Sequence, residues 1–274
     1  MGVILRCPVR GCTERLNREG VRWLCLQNHA FDQHRNGSLN LLQPQDRRSR
    51  TPGDSREVAA ARRRLAGRGH AAPVYQALGS VLRSRLTGNP ASLLDVGCGE
   101  GSFLGSLEDL PSLERHGLDI SAPSIALAAK TWGEARFVVG NADRFLPYAD
   151  RSFDVITSID ARTNAREFDR VLTERGLVLV AVPGADDLVE LRERIQGGKV
   201  EKSRTARVEE ELASPFRLAD QMTVRVTRSV DPPDLRDLLA ATYRGFRQSE
   251  GAAVAALTPM RVTLSHDILA FERP

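Results

Sequence analysis

Residues 93–103, LLDVGCGEGSF, constrain the fold more than any other stretch, because they join an apolar run to three closely spaced glycines. The apolar run predicts a buried strand that ends at Asp95, and the residues after Gly101 predict the start of a helix. Glycines in such a turn let the backbone approach a ligand that side chains would otherwise block. The start of the helix adds unpaired N–H groups that attract carboxylates and phosphates. This stretch therefore predicts a ligand site at the carboxyl end of a sheet.

Predicted strands and helices alternate from residue 92 onward. GSFLGSLEDL at 101–110 and PSIALAAKTW at 123–132 are predicted helices, whereas GLVLVAVP at 176–183 is a nearly continuous aliphatic strand. Such strands are typical of a parallel sheet covered by helices on both faces, so we expect an α/β domain. The predicted divisions are a small unit over 1–42, a basic linker with a first helix over 43–72, and the α/β domain over 73–274.

Three of the four cysteines lie in the first 25 residues, in the pattern Cys7-x4-Cys12 and Cys25-x3-His29. Two close pairs of thiolate and imidazole ligands suit tetrahedral zinc. A unit of about 40 residues buries little core, so a metal would supply much of its stability. We predict a structural zinc ribbon; His34 is an alternative fourth ligand, and unrelated buried thiols are the competing interpretation.

The overall composition allows a nucleic-acid partner without requiring one. Lys and Arg outnumber Asp and Glu by 39 to 35, which gives a net charge of +4. No apolar run approaches the ~18 residues of a membrane span, and the N-terminus, MGVILRCPVR, lacks the apolar centre of a signal peptide. We therefore expect a cytoplasmic protein with no membrane partner.

Two further polar positions follow predicted strands. Asp119 ends the strand HGLDI, where an acid can accept hydrogen bonds from both ribose hydroxyls of a nucleotide. Asn141 and Ala142 follow the next strand, where an adenine edge could lie.

The glycine loop, Asp119 and Asn141 together resemble the class I S-adenosylmethionine-dependent methyltransferases. The resemblance implies a Rossmann-like, mostly parallel sheet of seven strands and S-adenosylmethionine as cofactor. It places the methionine part of the cofactor against Gly97, Gly99 and Gly101, its ribose on Asp119, and its adenine by Asn141 and Ala142. The neighbouring residues Asp95, Cys98 and Ile120 complete the predicted cofactor site. Cys98 is expected to be a small buried residue rather than a nucleophile.

The zinc pattern, the linker and the core together resemble the bacterial 23S rRNA (guanine-N1)-methyltransferases, which include tylosin-resistance enzymes. The resemblance rests on HAFDQHRNGSLNLLQ, on RRSRTPGDSREVAAARRRLAGRGH, on the loop DVGCGEG and on AVPGADDLVEL, and it covers residues 1 to about 195. It implies methyl transfer to N1 of a guanine in 23S rRNA.

The acceptor wall departs from that family. Asp160-Ala161-Arg162 stands where the family has an aromatic-Ala-Pro tripeptide, and Asp187 stands where it usually has a histidine. We predict that Asp160 is a base or a hydrogen-bonding group for the acceptor, and that Arg162 holds a phosphate or an acidic substrate. Their competing interpretations are a turn residue and a solvated arginine.

Three basic clusters could hold an RNA backbone, although each could equally be a solvated surface. They are Arg47, Arg48 and Arg50; Arg62, Arg63 and Arg64; and Lys199, Lys202, Arg204 and Arg207. The changed acceptor wall keeps two other functions open: a methyltransferase that modifies a small molecule, and a noncatalytic RNA-binding protein that retains the cofactor. A homodimer is compatible with all three.

Overall fold

A small antiparallel ribbon precedes a large mixed sheet in the computed structural model, which describes residues 2–47, 49–86, 91–196, 203–242 and 254–274. The ribbon strands are β1 (Asn17–Glu19), β2 (Arg22–Leu24) and β3 (Ala30–Asp32). The strands of the large sheet are β4 (Leu39–Asn40), β5 (Ala91–Val96), β6 (Leu113–Asp119), β7 (Arg136–Val139), β8 (Phe153–Ile159), β9 (Leu172–Pro183), β10 (Arg217–Val230) and β11 (Met260–Glu272).

Helices cover both faces of the large sheet. They are α1 (Arg56–Gly67), α2 (Ala72–Arg85), α3 (Ser102–Gly105), α4 (Ala122–Thr131), α5 (Ala165–Val171), α6 (Val189–Gln196), α7 (Thr205–Leu212) and α8 (Pro232–Thr242). The hydroxyl of Ser55 caps α1 by accepting from Val58 N. No helix of the described segments is long and apolar enough to cross a membrane.

The order of the large sheet, β10-β11-β9-β8-β5-β6-β7-β4, confirms the predicted class I architecture. Strands β4 to β9 run parallel, while β11 lies antiparallel to both β9 and β10. The order of the strands changes direction at β5: β6 and β7 follow on one side of it, and the later strands β8 and β9 lie on the other side. Ligands bind parallel sheets of this kind beyond the carboxyl end of the strands at such a reversal. The glycine loop follows β5 directly.

The sheet has one strand more than the seven that the sequence predicts, because the N-terminal segment contributes β4. Leu39 and Asn40 pair in parallel with Val138 and Val139 of β7, and Leu41 N then donates to Val139 O at 2.9 Å. The N-terminal tail adds a bridge between Leu5 and Tyr148. The ribbon is therefore attached to the core by backbone hydrogen bonds at both ends.

The helix after the glycine loop is shorter than the predicted 101–110. It spans only Ser102–Gly105 and is followed by turns in which Leu107 N and Glu108 N bond to carbonyls three residues earlier. A Cβ at Gly105 would lie 2.6 Å from atoms of the Trp132 ring, so only glycine fits there. Glycine at that place weakens a helix, and the helix ends there.

An aromatic cluster fills the core between the ribbon side and β8. Phe153 is fully buried, with its ring centroid 4.9 Å from that of Tyr148 and 5.4 Å from that of His116. Burial lowers the pKa of His116, so the imidazole packs in its neutral form.

Replacement of Phe153 by alanine is expected to lower the free energy of unfolding by about 3–5 kcal/mol, because the cavity forms where three rings meet. Denaturant unfolding of the full chain measures the change. The control is Leu26→Ala: that side chain is 78% exposed, and its loss should change stability by about 0.5 kcal/mol or less. Equal effects of the two substitutions would contradict this packing.

Candidate cofactor, metal and acceptor sites

The four predicted metal ligands converge at one point of the ribbon. The distances are 3.4 Å from Cys7 Sγ to His29 Nδ1, 3.4 Å from Cys25 Sγ to His29 Nδ1, and 3.8 Å from Cys12 Sγ to Cys25 Sγ. All four ligand atoms lie within 4.8 Å of one another. A tetrahedral zinc ion with bonds of roughly 2.0–2.3 Å separates its ligands by about 3.5–3.8 Å. The residues therefore fit zinc, with every ligand position filled by protein.

Tight turns place these ligands. Cys12 N bonds to Val9 O, and Asn28 N bonds to Cys25 O, both at 2.9 Å. Gly11 and Asn28 have positive φ angles of 78° and 61°, which glycine and asparagine tolerate best. His34 does not belong to this cluster of described ligands.

The glycine loop has open space at Gly99 but is tightly packed at Gly97. A Cβ at Gly97 would lie 2.3 Å from Ala161 Cβ, whereas a Cβ at Gly99 would meet no atom within 4 Å. The loop is thus packed against the Asp160–Ala161 turn at Gly97 and is free to meet a ligand at Gly99. Both residues have positive φ angles, 77° and 55°.

The Asp119 carboxylate fastens the loop to the next strand. Its Oδ2 accepts from Gly99 N at 3.0 Å, and its Oδ1 accepts from Ser121 N at 2.7 Å. The residue is half-buried at the carboxyl end of β6, next to Ile120, and burial raises its pKa. This is the place where a ribose would meet the sheet in a Rossmann-like fold.

Buried acids surround the loop. Burial raises the pKa of Asp95, which is 2% exposed, to about 7, and burial also raises the pKa of Glu100. Thr157 Oγ1 donates to Asp95 at 2.7 Å, and Ser102 Oγ donates to Glu100 at 2.7 Å. Carboxyl groups in this position favour a ligand that carries positive charge. S-adenosylmethionine, with its sulfonium and ammonium groups, fits them.

A segment that the sequence did not mark as part of the site crosses the ends of β6 and β7. We call residues 41–55 the connector. Asn141 Nδ2 donates to Asp46 O at 2.8 Å, and Ser121 Oγ donates to Asp54 O at 2.6 Å. A Cβ at Gly53 would lie 2.7 Å from Ser121 Cβ. The connector therefore packs directly beside the carboxyl end where the cofactor residues lie.

Asn141 and Ala142 lie where the sequence predicts them, at the end of β7. Asn141 is 9% exposed, and its Oδ1 accepts from Asp143 N at 3.0 Å while its amide holds the connector. Ala142 is half-buried beside it. Cys98 is buried in the loop, and burial raises the pKa of its thiol, so it packs as a neutral group.

The acceptor wall contains a histidine that the sequence analysis missed. Asp160 has a φ of 52°, and its Oδ2 lies 3.2 Å from Nε2 of His266 on β11. Asp187 is 8% exposed beneath this pair, and burial raises its pKa to about 6. No local motif marks His266, because it follows Asp160 by about a hundred residues and meets it only through sheet pairing. Arg162 stands apart: its side chain is 69% exposed and lies 3.8 Å from the Asp143 carboxylate.

The basic clusters differ in their partners within the protein. The arginines of α1 contact other elements: Arg62 bonds to Asp54 and to Ala241 O, Arg63 lies 4.5 Å over the Trp132 ring, and Arg64, whose side chain is 50% exposed, bonds to Asp237. Arg47 and Arg50 of the connector are exposed, and neither forms an ion pair with a described residue. Arg48, Lys199 and Lys202 lie outside the described residues.

Known protein families match both the ribbon and the α/β domain of this chain. The family described as "Methyltransferase domain" matches residues 94–180, and the zinc-ribbon family described as "RlmA, N-terminal" matches residues 5–50. A Streptomyces fradiae protein named 23S rRNA (guanine(748)-N(1))-methyltransferase is 31% identical over 89% of this chain and 86% of its own length. A Bacillus subtilis relative, the candidate 23S rRNA (guanine-N(1)-)-methyltransferase YxjB, is 30% identical over 97% of this chain and 96% of its own length.

The chain belongs to the 23S rRNA (guanine-N1)-methyltransferase family. It is a methyltransferase that uses S-adenosylmethionine, and its ribbon holds a structural zinc ion. Solved structures support the fold of this methyltransferase. A candidate methyltransferase from Bacillus halodurans superposes with a TM-score of 0.53 at 16% identity, over 73% of this chain and 98% of that one. The YcgJ protein of Bacillus subtilis gives 0.51 at 18% identity, over 73% and 99%.

The purified methyltransferase is expected to contain one zinc ion per chain, and Cys12→Ser should remove it and lower the melting temperature, because ribbon stability depends on the metal. Elemental analysis and thermal unfolding measure the two effects. Cys98→Ser is the matched control, since that thiol lies outside the cluster, and it should keep the full zinc content. Full zinc in the Cys12 variant would contradict the assigned ligand set.

Proposed function

We propose that this protein transfers the methyl group of S-adenosylmethionine to N1 of a guanine in 23S rRNA. The observation that carries the proposal is the whole-length match to relatives named for that reaction, which includes the ribbon as well as the catalytic core. A methyltransferase core alone would leave the acceptor open.

The cofactor site is proposed from the residues around the glycine loop. Asp119 binds the ribose hydroxyls with the carboxylate that also fastens Gly99 and Ser121. The methionine part is proposed to lie along Gly97, Gly99 and Gly101, with its closest approach at Gly99, where a Cβ would meet no atom within 4 Å, and the buried acids Asp95 and Glu100 are proposed to stabilise its positive charges. Cys98 and Ile120 pack against it.

The adenine end is proposed at the carboxyl end of β7. Each polar atom of the Asn141 side chain makes one bond within the protein and keeps one further hydrogen-bonding position, so we propose adenine contacts from this side chain and from the backbone at Ala142.

The acceptor is proposed to lie against Asp160, beside the glycine loop at Gly97. Methyl transfer from a sulfonium is an in-line displacement, so the protein mainly positions the acceptor nitrogen. Guanine N1 carries a proton near neutral pH, so a nearby group must accept it. We propose that Arg162, whose side chain is 69% exposed, contacts a phosphate of the RNA backbone.

RNA binding outside the acceptor wall is proposed for the exposed arginines of the connector and ribbon. Arg47 and Arg50 lie in the connector beside the cofactor end of the sheet, and Arg15 and Arg18 are exposed on the ribbon. Such side chains hold phosphates without reading sequence, whereas the target base must be unpaired or flipped out for N1 to be reached.

An rRNA acceptor places the reaction in the cytoplasm, and homodimer formation remains compatible with it.

The test is transfer of labelled methyl from S-adenosylmethionine to unmodified bacterial 23S rRNA, followed by digestion to nucleosides. We expect the label in 1-methylguanosine. Asp119→Ala should reduce transfer at least tenfold through weaker cofactor binding. The control is Asp109→Ala, an exposed acid that pairs with Arg83 away from the loop and should retain transfer.

Two outcomes would overturn the proposal. Label in another nucleoside would refute the N1 assignment, and absence of label from rRNA with cofactor binding intact would refute rRNA as the acceptor. The second outcome would favour a small molecule as the acceptor.

A further inference from the structure

The pairing of β11 with β9 brings His266 to the acceptor wall. His266 pairs with Pro183 at the end of β9, next to the loop that carries Asp187. Its Nε2 lies 3.2 Å from Oδ2 of Asp160, which follows β8. The ring is 18% exposed and the Asp160 carboxylate 30% exposed, so both can meet an acceptor.

The ring orientation leaves one nitrogen for the acceptor. With Nε2 donating its proton to Asp160, Nδ1 is the basic atom, and it has no hydrogen-bond partner among the described residues. Ala161, which follows Asp160 in the chain, packs on Gly97, so the dyad of His266 and Asp160 lies beside the glycine loop, where we propose that the methionine end of the cofactor binds.

The charges around the dyad favour a protonated imidazole. Burial lowers the pKa of His266, but the charge and hydrogen bond of Asp160 outweigh it, with help from Asp187 and Asp267, and raise the pKa to about 8. Burial raises the pKa of Asp160, yet His266, with Arg62 and Arg204, holds it below the ordinary value. Asp160 is therefore a weak base.

A base works best when its pKa lies near the working pH. The neutral imidazole meets that condition and the Asp160 carboxylate does not. An aspartate that orients a basic histidine is also an arrangement used by other enzymes to move protons.

We propose that His266 is the general base that takes the N1 proton of the acceptor guanine, and that Asp160 orients the imidazole for this step. This inference rests on the proposed function, since it concerns the acceptor of that reaction.

Proton removal and methyl transfer together conserve atoms and charge. The N1–H electron pair stays on N1 while the proton goes to Nδ1 of His266. N1 forms a bond to the methyl carbon, and the carbon–sulfur bond breaks with its electron pair remaining on sulfur. The imidazolium then returns its proton to solvent.

The test is the pH dependence of single-turnover methylation of 23S rRNA between pH 6 and 9. The wild-type rate should rise about tenfold per pH unit and level off near pH 8, where His266 loses its proton. His266→Gln should lower the rate by about 10²–10⁴-fold and lose this inflection, with cofactor affinity unchanged.

Two more variants separate the roles in the dyad. Asp160→Asn should move the inflection towards the ordinary histidine value of about 6.5, because the opposite charge is gone. NMR titration of the His266 ring in the free protein should show the same downward shift. Asp109→Asn is the control: its exposed carboxylate pairs with Arg83 and is not among the groups that act on His266, so the rate and inflection should remain close to wild type.

The outcomes distinguish this inference from the proposed function. Absence of 1-methylguanosine with wild-type protein at every pH refutes the proposed function. If wild type forms it and His266→Gln keeps the same rate and inflection, the base assignment is overturned. An inflection that is lost only in Asp160→Asn would make Asp160 the base instead.

Discussion

The carboxylate of Asp119 holds together the segments on which the rest of the site depends. It accepts from Gly99 N of the glycine loop and from Ser121 N at the start of α4. The hydroxyl of Ser121 then caps α4 by accepting from Ser124 N, and it donates to Asp54 O of the connector. The side chains of Asp119 and Ser121 thereby link the loop, the next helix and the segment that leads back to the zinc ribbon. Because hydrogen bonds to a charged carboxylate are stronger than neutral ones, this link resists displacement.

The acceptor wall is joined to the same assembly through packing at Gly97. The turn of Asp160 and Ala161 leaves no room for a Cβ at that glycine, so the acceptor side and the cofactor loop have a fixed separation. Methyl transfer depends on such positioning more than on chemical activation by the protein. The change from the family's aromatic-Ala-Pro to Asp160-Ala161-Arg162 replaces an apolar wall with charged groups. His266 supplies a partner for the Asp160 carboxylate, with Arg62 and Arg204 nearby, which explains how an aspartate is tolerated there.

Local patterns in the sequence predicted the parts of the structure that depend on residues close together in the chain. The glycine loop and each of the two zinc pairs lie within a few residues, so spacing alone indicates their geometry. The eighth strand, the connector over β6 and β7, and the contact between His266 and Asp160 depend on sheet pairing between distant segments. The partners of the α1 arginines depend on distant segments too: Arg64 bonds to Asp237 and Arg63 lies over the Trp132 ring, contacts that the basic run in the sequence does not indicate.

The most direct test of the account is to map the modified nucleotide in cells. Methylation at N1 blocks the Watson–Crick edge of guanine, so reverse transcriptase stops one nucleotide before the modified base. The account predicts one strong stop at a guanine of 23S rRNA when the protein is produced in a host that lacks the modification. It also predicts that the Asp119→Ala protein, produced to the same level, gives a much weaker stop. Equal stops with both proteins, or none with the active one, would contradict it.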